Sequence, residues 1–151
     1  LLVGFRMTMS LAENKTFSLW NTFQTRRKEI LNPVNSNLIS LQNYPTGYFE
    51  RFSVETPFEK WAAVEVTDWN TVPEGMETFL LPGGSYVIFV LNAAEPAPAF
   101  FQWLYGVWMK ESEFYLDNRP HFEVMNETYK HQDPDSYEEI WIPISFYPPE
   151  L

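Results

Sequence analysis

The chain has 151 residues, enough for one domain with a sizeable core, and 45% of them are hydrophobic, which excludes a disordered composition. Twenty acids against ten Lys and Arg leave a net charge of −10, and such a surface disfavours direct binding to nucleic acid or to anionic membrane. Cysteine is absent, which excludes disulfides and thiolate metal sites and fits a reducing, cytoplasmic compartment.

Two histidines, His121 and His131, are too few for a metal site, and nothing calls for a cofactor. No apolar run approaches the ~20 residues of a membrane helix, and no secretion signal is visible. Leu1 rather than Met opens the sequence, inside a strand-like run, which leaves an upstream segment open. Aromatic residues reach 18%, more than a core of this size needs. The surplus predicts flat apolar walls, as in a ligand pocket or an interface, and exposed rings would favour a homodimer.

Residues Leu2 to Met9 read as a strand. Asn14 offers a cap for a helix from Thr16 to Ile30. Its apolar residues fall on two neighbouring stripes, Phe17-Trp20-Phe23 and Leu19-Phe23-Ile30, and the late cations Arg26, Arg27 and Lys28 suit a helix end. Strands follow at Leu38 to Tyr44 and Phe58 to Val66. In the first, Ser40, Gln42 and Tyr44 share a face; in the second, Trp61 faces away from Lys60, Ala62 and Val64.

Met76 to Leu81 and Ser85 to Leu91 read as a hairpin turning at Pro82-Gly83-Gly84. A second helix, about Ala97 to Met109, is apolar nearly all round, which predicts burial on more than one side. Trp103 and Trp108 are assigned to its packing. Strands at Pro120 to Met125 and Tyr137 to Ser145 close the chain. In the last, Glu139, Trp141 and Pro143 oppose Ile140, Ile142 and Ile144.

Strand, helix, strand, strand therefore occurs twice. The fold class is α+β: duplicated β-α-β-β units in a single domain spanning 1–151, with halves of about 1–67 and 76–145. Two such units would meet about a pseudo-two-fold axis with a cleft between them, a usual place for a small-molecule site. Within the strand His121 to Met125, Glu123 shares a face with His121 and Met125, away from Phe122 and Val124. It is either a solvated acid on a half-exposed sheet or an acid aimed into a pocket.

Five segments then carry a family resemblance: Phe58 to Val66, Val72 to Thr78, Leu81 to Phe89, Leu116 to Glu123, and Glu138 to Ile144. In this order and spacing the chain resembles the GyrI-like small-molecule-binding domain. That is the effector-binding domain of AraC- and MerR-type multidrug regulators, of stand-alone gyrase-inhibitor proteins and of integron-cassette effector-binding proteins. The resemblance implies a curved antiparallel sheet with two helices and a central ligand groove. It implies that amphipathic, often cationic, small molecules bind there, with an acid at the position of Glu123 contacting the cation. The helix-one aromatic falls at Trp20, and the ring entering helix two at Phe100 or Phe101. Met125 stands where the family often has Tyr.

Strand facing and helix periodicity add Trp61, Tyr44 and Tyr105 to the candidate ligand contacts, and Glu139 as a second groove acid, although a sheet-face or structural hydrogen-bond role is the favoured reading for Glu139. Three functions compete. One is a binding module, as stand-alone sensor, sequestering protein or sensor part of a transcriptional regulator. Another is a hydrolase in which Glu123 and a Tyr activate water against a reactive electrophile. The third is a protein-interaction role, such as inhibition of DNA gyrase, with which the acidic charge is compatible.

Overall fold

The computed structural model describes residues 1–149; the last two residues of the expected span lie outside them. Strand β1 (Leu2–Met9) leads into helix α1 (Thr16–Arg26), which tightens to a 3₁₀ turn over Arg27–Glu29. Strands β2 (Leu38–Asn43), β3 (Phe58–Glu65), the short β4 (Glu77–Phe79) and β5 (Tyr86–Asn92) follow. Helix α2 is α-helical over Ala97–Trp103, π-helical over Leu104–Trp108 and α-helical again over Met109–Glu111. The two-residue β6 (Tyr115–Leu116), β7 (His121–Met125) and β8 (Tyr137–Ser145) complete an α+β fold with β-α-β-β used twice.

All strand pairs are antiparallel. Their order is β4-β1-β3-β2-β7-β8-β5, with β6 against β8. The first unit contributes β1-β3-β2 and the second β7-β8-β5, so the halves meet in opposite order at the β2–β7 ladder. Its register runs from Leu38 opposite Met125 to Gln42 opposite His121.

Both helices lie on one face of the sheet. Leu19 and Phe23 of α1, fully buried, pack over Val3, Phe58, Ala62 and Val64. Leu104 and Met109 of α2 pack over Ile140, Ile142 and Ile144. Of the two stripes that periodicity offers for α1, the Leu19–Phe23–Ile30 stripe is the buried one, and Phe17 is 86% exposed. Leu19 and Phe23 stand one turn apart toward the sheet, which leaves Phe17 on the solvent side. Helix α2 also differs from expectation: Trp103 and Val107 are exposed, because the sheet covers only one of its sides.

The expected hairpin between β4 and β5 does not form. β4 pairs with β1 and β5 with β8, at opposite edges of the sheet. Seven Cα steps join Phe79 to Tyr86, a reach of at most about 25 Å. Seven flat strands would set their outer members about 29 Å apart. The sheet therefore curves, and the 80–85 crossing packs on the face without helices. There Phe79, Leu81 and Tyr86 cover a second core of Leu2, Leu41, Trp61 and Phe122.

Arg119 fastens this crossing. Its Nη2 donates to the carbonyls of Ser85 (2.6 Å) and Ile144 (3.1 Å), its Nε to Asp117 Oδ2 (2.6 Å), and its guanidinium lies 4.5 Å from the centre of the Tyr86 ring. A Cβ on Gly84, whose φ is +151°, would stand 2.3 Å from Arg119 Nη1, so glycine is what the latch admits.

The tightest packing lies between β1 and β3. A Cβ on Gly4 would stand 2.0 Å from the Ala62 carbonyl oxygen and 2.7 Å from the Ala63 Cα, both main-chain atoms that no rotamer change can move. Gly4→Ala is expected to cost about 3 kcal/mol or more, measured by urea denaturation. A cost under about 1 kcal/mol would show that β1 shifts freely along β3.

Candidate functional site

The site grows out of the register at the centre of the sheet. Ser40 of β2 stands opposite Ala62 of β3 on one side and Glu123 of β7 on the other. Gln42 likewise stands between Lys60 and His121. These residues share the helix-bearing face, between α1 over the first half of the sheet and α2 over the second. Ser40 and Ala62 are short, so they form a low floor. Lys60 and Glu123 rise on either side of it, two strand spacings (about 10 Å) apart at the backbone.

Glu123 keeps some solvent contact as a residue, but its Oε2 is sealed from solvent and has no hydrogen-bond partner. Burial pushes its pKa up, while Lys60 and the Gln42 amide pull the other way. Lys60 donates to Thr16 Oγ1 in the first turn of α1 at 3.2 Å, and burial lowers its pKa against the attraction of Glu123 and Glu138. Glu138 of β8, opposite Met125, carries a second carboxyl to the same face; burial and the Glu123 charge raise it to about 7. Ion pairs among the described residues join Arg6 to Glu59 and Glu77, Arg26 to Glu29, Arg27 to Glu127 and Arg119 to Asp117. Neither Lys60 nor Glu123 nor Glu138 belongs to one.

Rings wall the space. Tyr44 lies edge-on to His121 (5.0 Å between centroids) and to Phe49 (5.0 Å). Phe49 stacks on His121 at 5.1 Å and leans on Tyr105 at 4.7 Å. The π-helical turn of α2 carries Tyr105, and a hydrogen bond of 2.9 Å joins its hydroxyl to His121 Nδ1. Burial raises the pKa of Tyr44 and of Tyr105, with the Glu123 charge adding to both, and pushes Tyr129 up to about 12. His121 is lowered to about 3 by burial and by Arg119, so it is neutral throughout the physiological range. Two open clefts elsewhere, one beside Arg27, Ile30 and Glu127 and one beside Met9, Glu13 and Pro57, do not border Glu123.

Of the residues expected from sequence, Glu123, Tyr44 and Tyr105 come together. Met125 continues the same face beside Glu138, against the α1 core. Trp20 lies one helical turn beyond Thr16 on the same side of α1, with its ring edge-on to Phe23. Phe101 stacks on Tyr105 at 6.2 Å, one ring removed from His121, whereas Phe100 packs on Phe89 and Trp103.

Trp61 and Glu139 are not in the groove. Trp61 pairs across β2 with Leu41 and Phe122, on the face opposite Glu123, where it is buried against Phe79 and donates to Glu59 Oε1 at 2.6 Å. Glu139 stands exposed on that same opposite face, opposite Val124, and accepts from Trp141 Nε1 at 3.3 Å. Alternation in antiparallel ladders dictates both placements.

Sequence reasoning missed Lys60, Glu138, Tyr129 and Phe49. The signal for two of them was present: Lys60 alternates with Ala62 and Val64, and Glu138 with Ile140 and Ile142, all residues of the buried face. Phe49 left no such signal, because it reaches the groove from the loop between β2 and β3.

Glu138 supplies a test of this electrostatic arrangement. Its folded-state pKa of about 7 lies above the ordinary 4.5, so the folded chain holds that proton more tightly than the unfolded chain does. Its contribution to stability is complete below pH 4.5 and is lost as pH rises through 7. Thermal melts of Glu138→Gln and of the native chain should therefore diverge in favour of the variant between about pH 5 and pH 8. A difference independent of pH would place Glu138 in solvent.

Comparison with known proteins agrees with the fold. An integron cassette protein from the mobile metagenome of Vibrio cholerae superposes with a TM-score of 0.64 at 18% identity, over 95% of this chain and 89% of that one. A Staphylococcus aureus protein described as a candidate bacterial transcription regulator superposes with a TM-score of 0.64 at 15% identity, over 95% and 90% of the two chains. Each of these likenesses speaks for the fold. No curated protein sequence matches the chain. Residues 2–144 match the family described as integron-associated effector binding protein, and the chain belongs to that family.

Proposed function

We propose that the chain binds small amphipathic organic cations in the groove between α1 and α2, as a stand-alone sensor or sequestering protein or as the sensor part of a transcriptional regulator. The observation that carries this reading is the sealed, unpartnered Oε2 of Glu123 among Tyr44, Tyr105 and Phe49. A buried carboxylate oxygen without a partner costs free energy. An entering cation relieves that cost by favouring the ionised form, and the rings add cation–π attraction of roughly 0.5–2 kcal/mol each where they face it. Apolar contact supplies the rest of the affinity with little demand on shape. Membership of an effector-binding family supports the same reading.

The hydrolase alternative needs a Tyr hydroxyl free to exchange a proton with substrate. The Tyr105 hydroxyl is engaged with a neutral His121, which favours wall over catalyst for that ring. Turnover of an electrophilic ligand would reverse that preference.

Glu123→Gln should weaken organic cations about tenfold or more while leaving neutral aromatics of similar size nearly unchanged, as read by fluorescence titration. Equal losses for both classes would defeat the proposal. Affinity for cations should also rise between about pH 6 and pH 8, because Glu138 is held at about 7 and must shed its proton to favour the ligand's charge.

A further inference from the structure

We infer that Lys60 is a second recognition point of the groove, so that preferred ligands carry an anionic or strongly accepting oxygen, such as a carboxylate, beside their cationic aromatic part. This rests on the cation-binding reading of Glu123 and names the ligand class that the reading leaves open.

Charge is divided across the groove rather than spread through it. The acids Glu123 and Glu138 stand on β7 and β8, and the ammonium of Lys60 on β3, across the floor of Ser40 and Ala62. From α1 the group that faces Lys60 is the Thr16 hydroxyl. Tyr44, Tyr105 and Tyr129 complete the titratable groups around Glu123, with His121 beside Tyr44 and Tyr105.

Lys60 and Glu123 carry opposite charges on strands two spacings apart and form no ion pair among the described residues, so each keeps capacity for a ligand group. On the acid side, Glu123 Oε2 lacks a donor. On the lysine side, Thr16 Oγ1 accepts one hydrogen bond, and an ammonium has three donors to give. Burial disfavours the Lys60 charge, as its lowered pKa reflects, and a ligand oxygen against Nζ would offset that cost. A plain cation satisfies Glu123 but is repelled at the Lys60 side. A zwitterion laid across the floor, cation toward β7 and oxygen toward β3, meets both.

The test compares rhodamine B, which carries a cationic ring system and a carboxylate, with its methyl ester, which keeps the cation and loses the negative charge. The native chain should bind the acid about tenfold tighter than the ester by fluorescence anisotropy. Lys60→Met should abolish that preference by weakening the acid about tenfold while leaving the ester unchanged or tighter. Glu123→Gln should weaken both dyes.

If the ester binds the native chain as tightly as the acid, or if Lys60→Met weakens the two equally, Lys60 is not a recognition point, and cation binding at Glu123 stands without it. If neither dye binds, or if both ignore Glu123→Gln, the cation-binding reading falls and this inference falls with it. Lys60→Gln, which removes the charge and keeps a donor, replaces the Met variant if that variant does not fold, with the same loss of preference expected.

Discussion

The ladder between β2 and β7 is the joint on which the molecule depends. It is where two β-α-β-β units meet, and its register sets Ser40 beside Glu123 and Gln42 beside His121. Side chains alternate along a strand, so a slip of one residue would send Glu123 to the face that holds Trp61 and Phe122 and bring Phe122 or Val124 into the groove. Two buried surfaces resist that slip. On the helix side, Leu104 and Met109 close over Ile140, Ile142 and Ile144. On the other side, Leu41, Trp61 and Phe122 are covered by the 80–85 crossing that Arg119 ties to β8. The polar groove is held in place by apolar packing on both faces of the sheet.

The groove itself shows how short side chains make room for chemistry. Bulky residues at the positions of Ser40 and Ala62 would fill the gap between β3 and β7. With a hydroxyl and a methyl there instead, an ammonium and two carboxyls share a poorly solvated space without pairing. Burial drives every one of their pKa values toward the neutral form, and mutual attraction only partly restores charge. A ligand of the proposed kind would lower the free energy of such a set of groups. The hydrogen bond between Tyr105 and His121 belongs to the wall rather than to this set.

Much of this was legible before any coordinates. The repeated β-α-β-β order followed from period-2 and period-3.6 apolar patterns, and the facing of Glu123 with His121 and Met125 followed from alternation alone. The errors have a common cause. Met76 to Leu81 and Ser85 to Leu91 are both strand-like and flank Pro82-Gly83-Gly84, which is ample local evidence for a hairpin, but local evidence does not reveal which neighbour each strand finds. Trp61 reads as a groove residue because small neighbours flank it, whereas for Glu139 a sheet-face role is the favoured reading beside that of a second groove acid. Only the cross-strand register, Trp61 beside Leu41 and Glu139 beside Val124, puts them on the other face.

The elements, their duplication, the excess of aromatic rings and the presence of a central acid all follow from side-chain periodicity and composition within short stretches. Tertiary structure decided which acids and rings share a space. It brought Lys60 and Glu138 to Glu123, laid the loop residue Phe49 against both His121 and Tyr105, and turned Phe17 outward from α1. Those outcomes depend on the register between strands distant in sequence and on the curvature that the 80–85 crossing imposes. No window of consecutive residues contains either one.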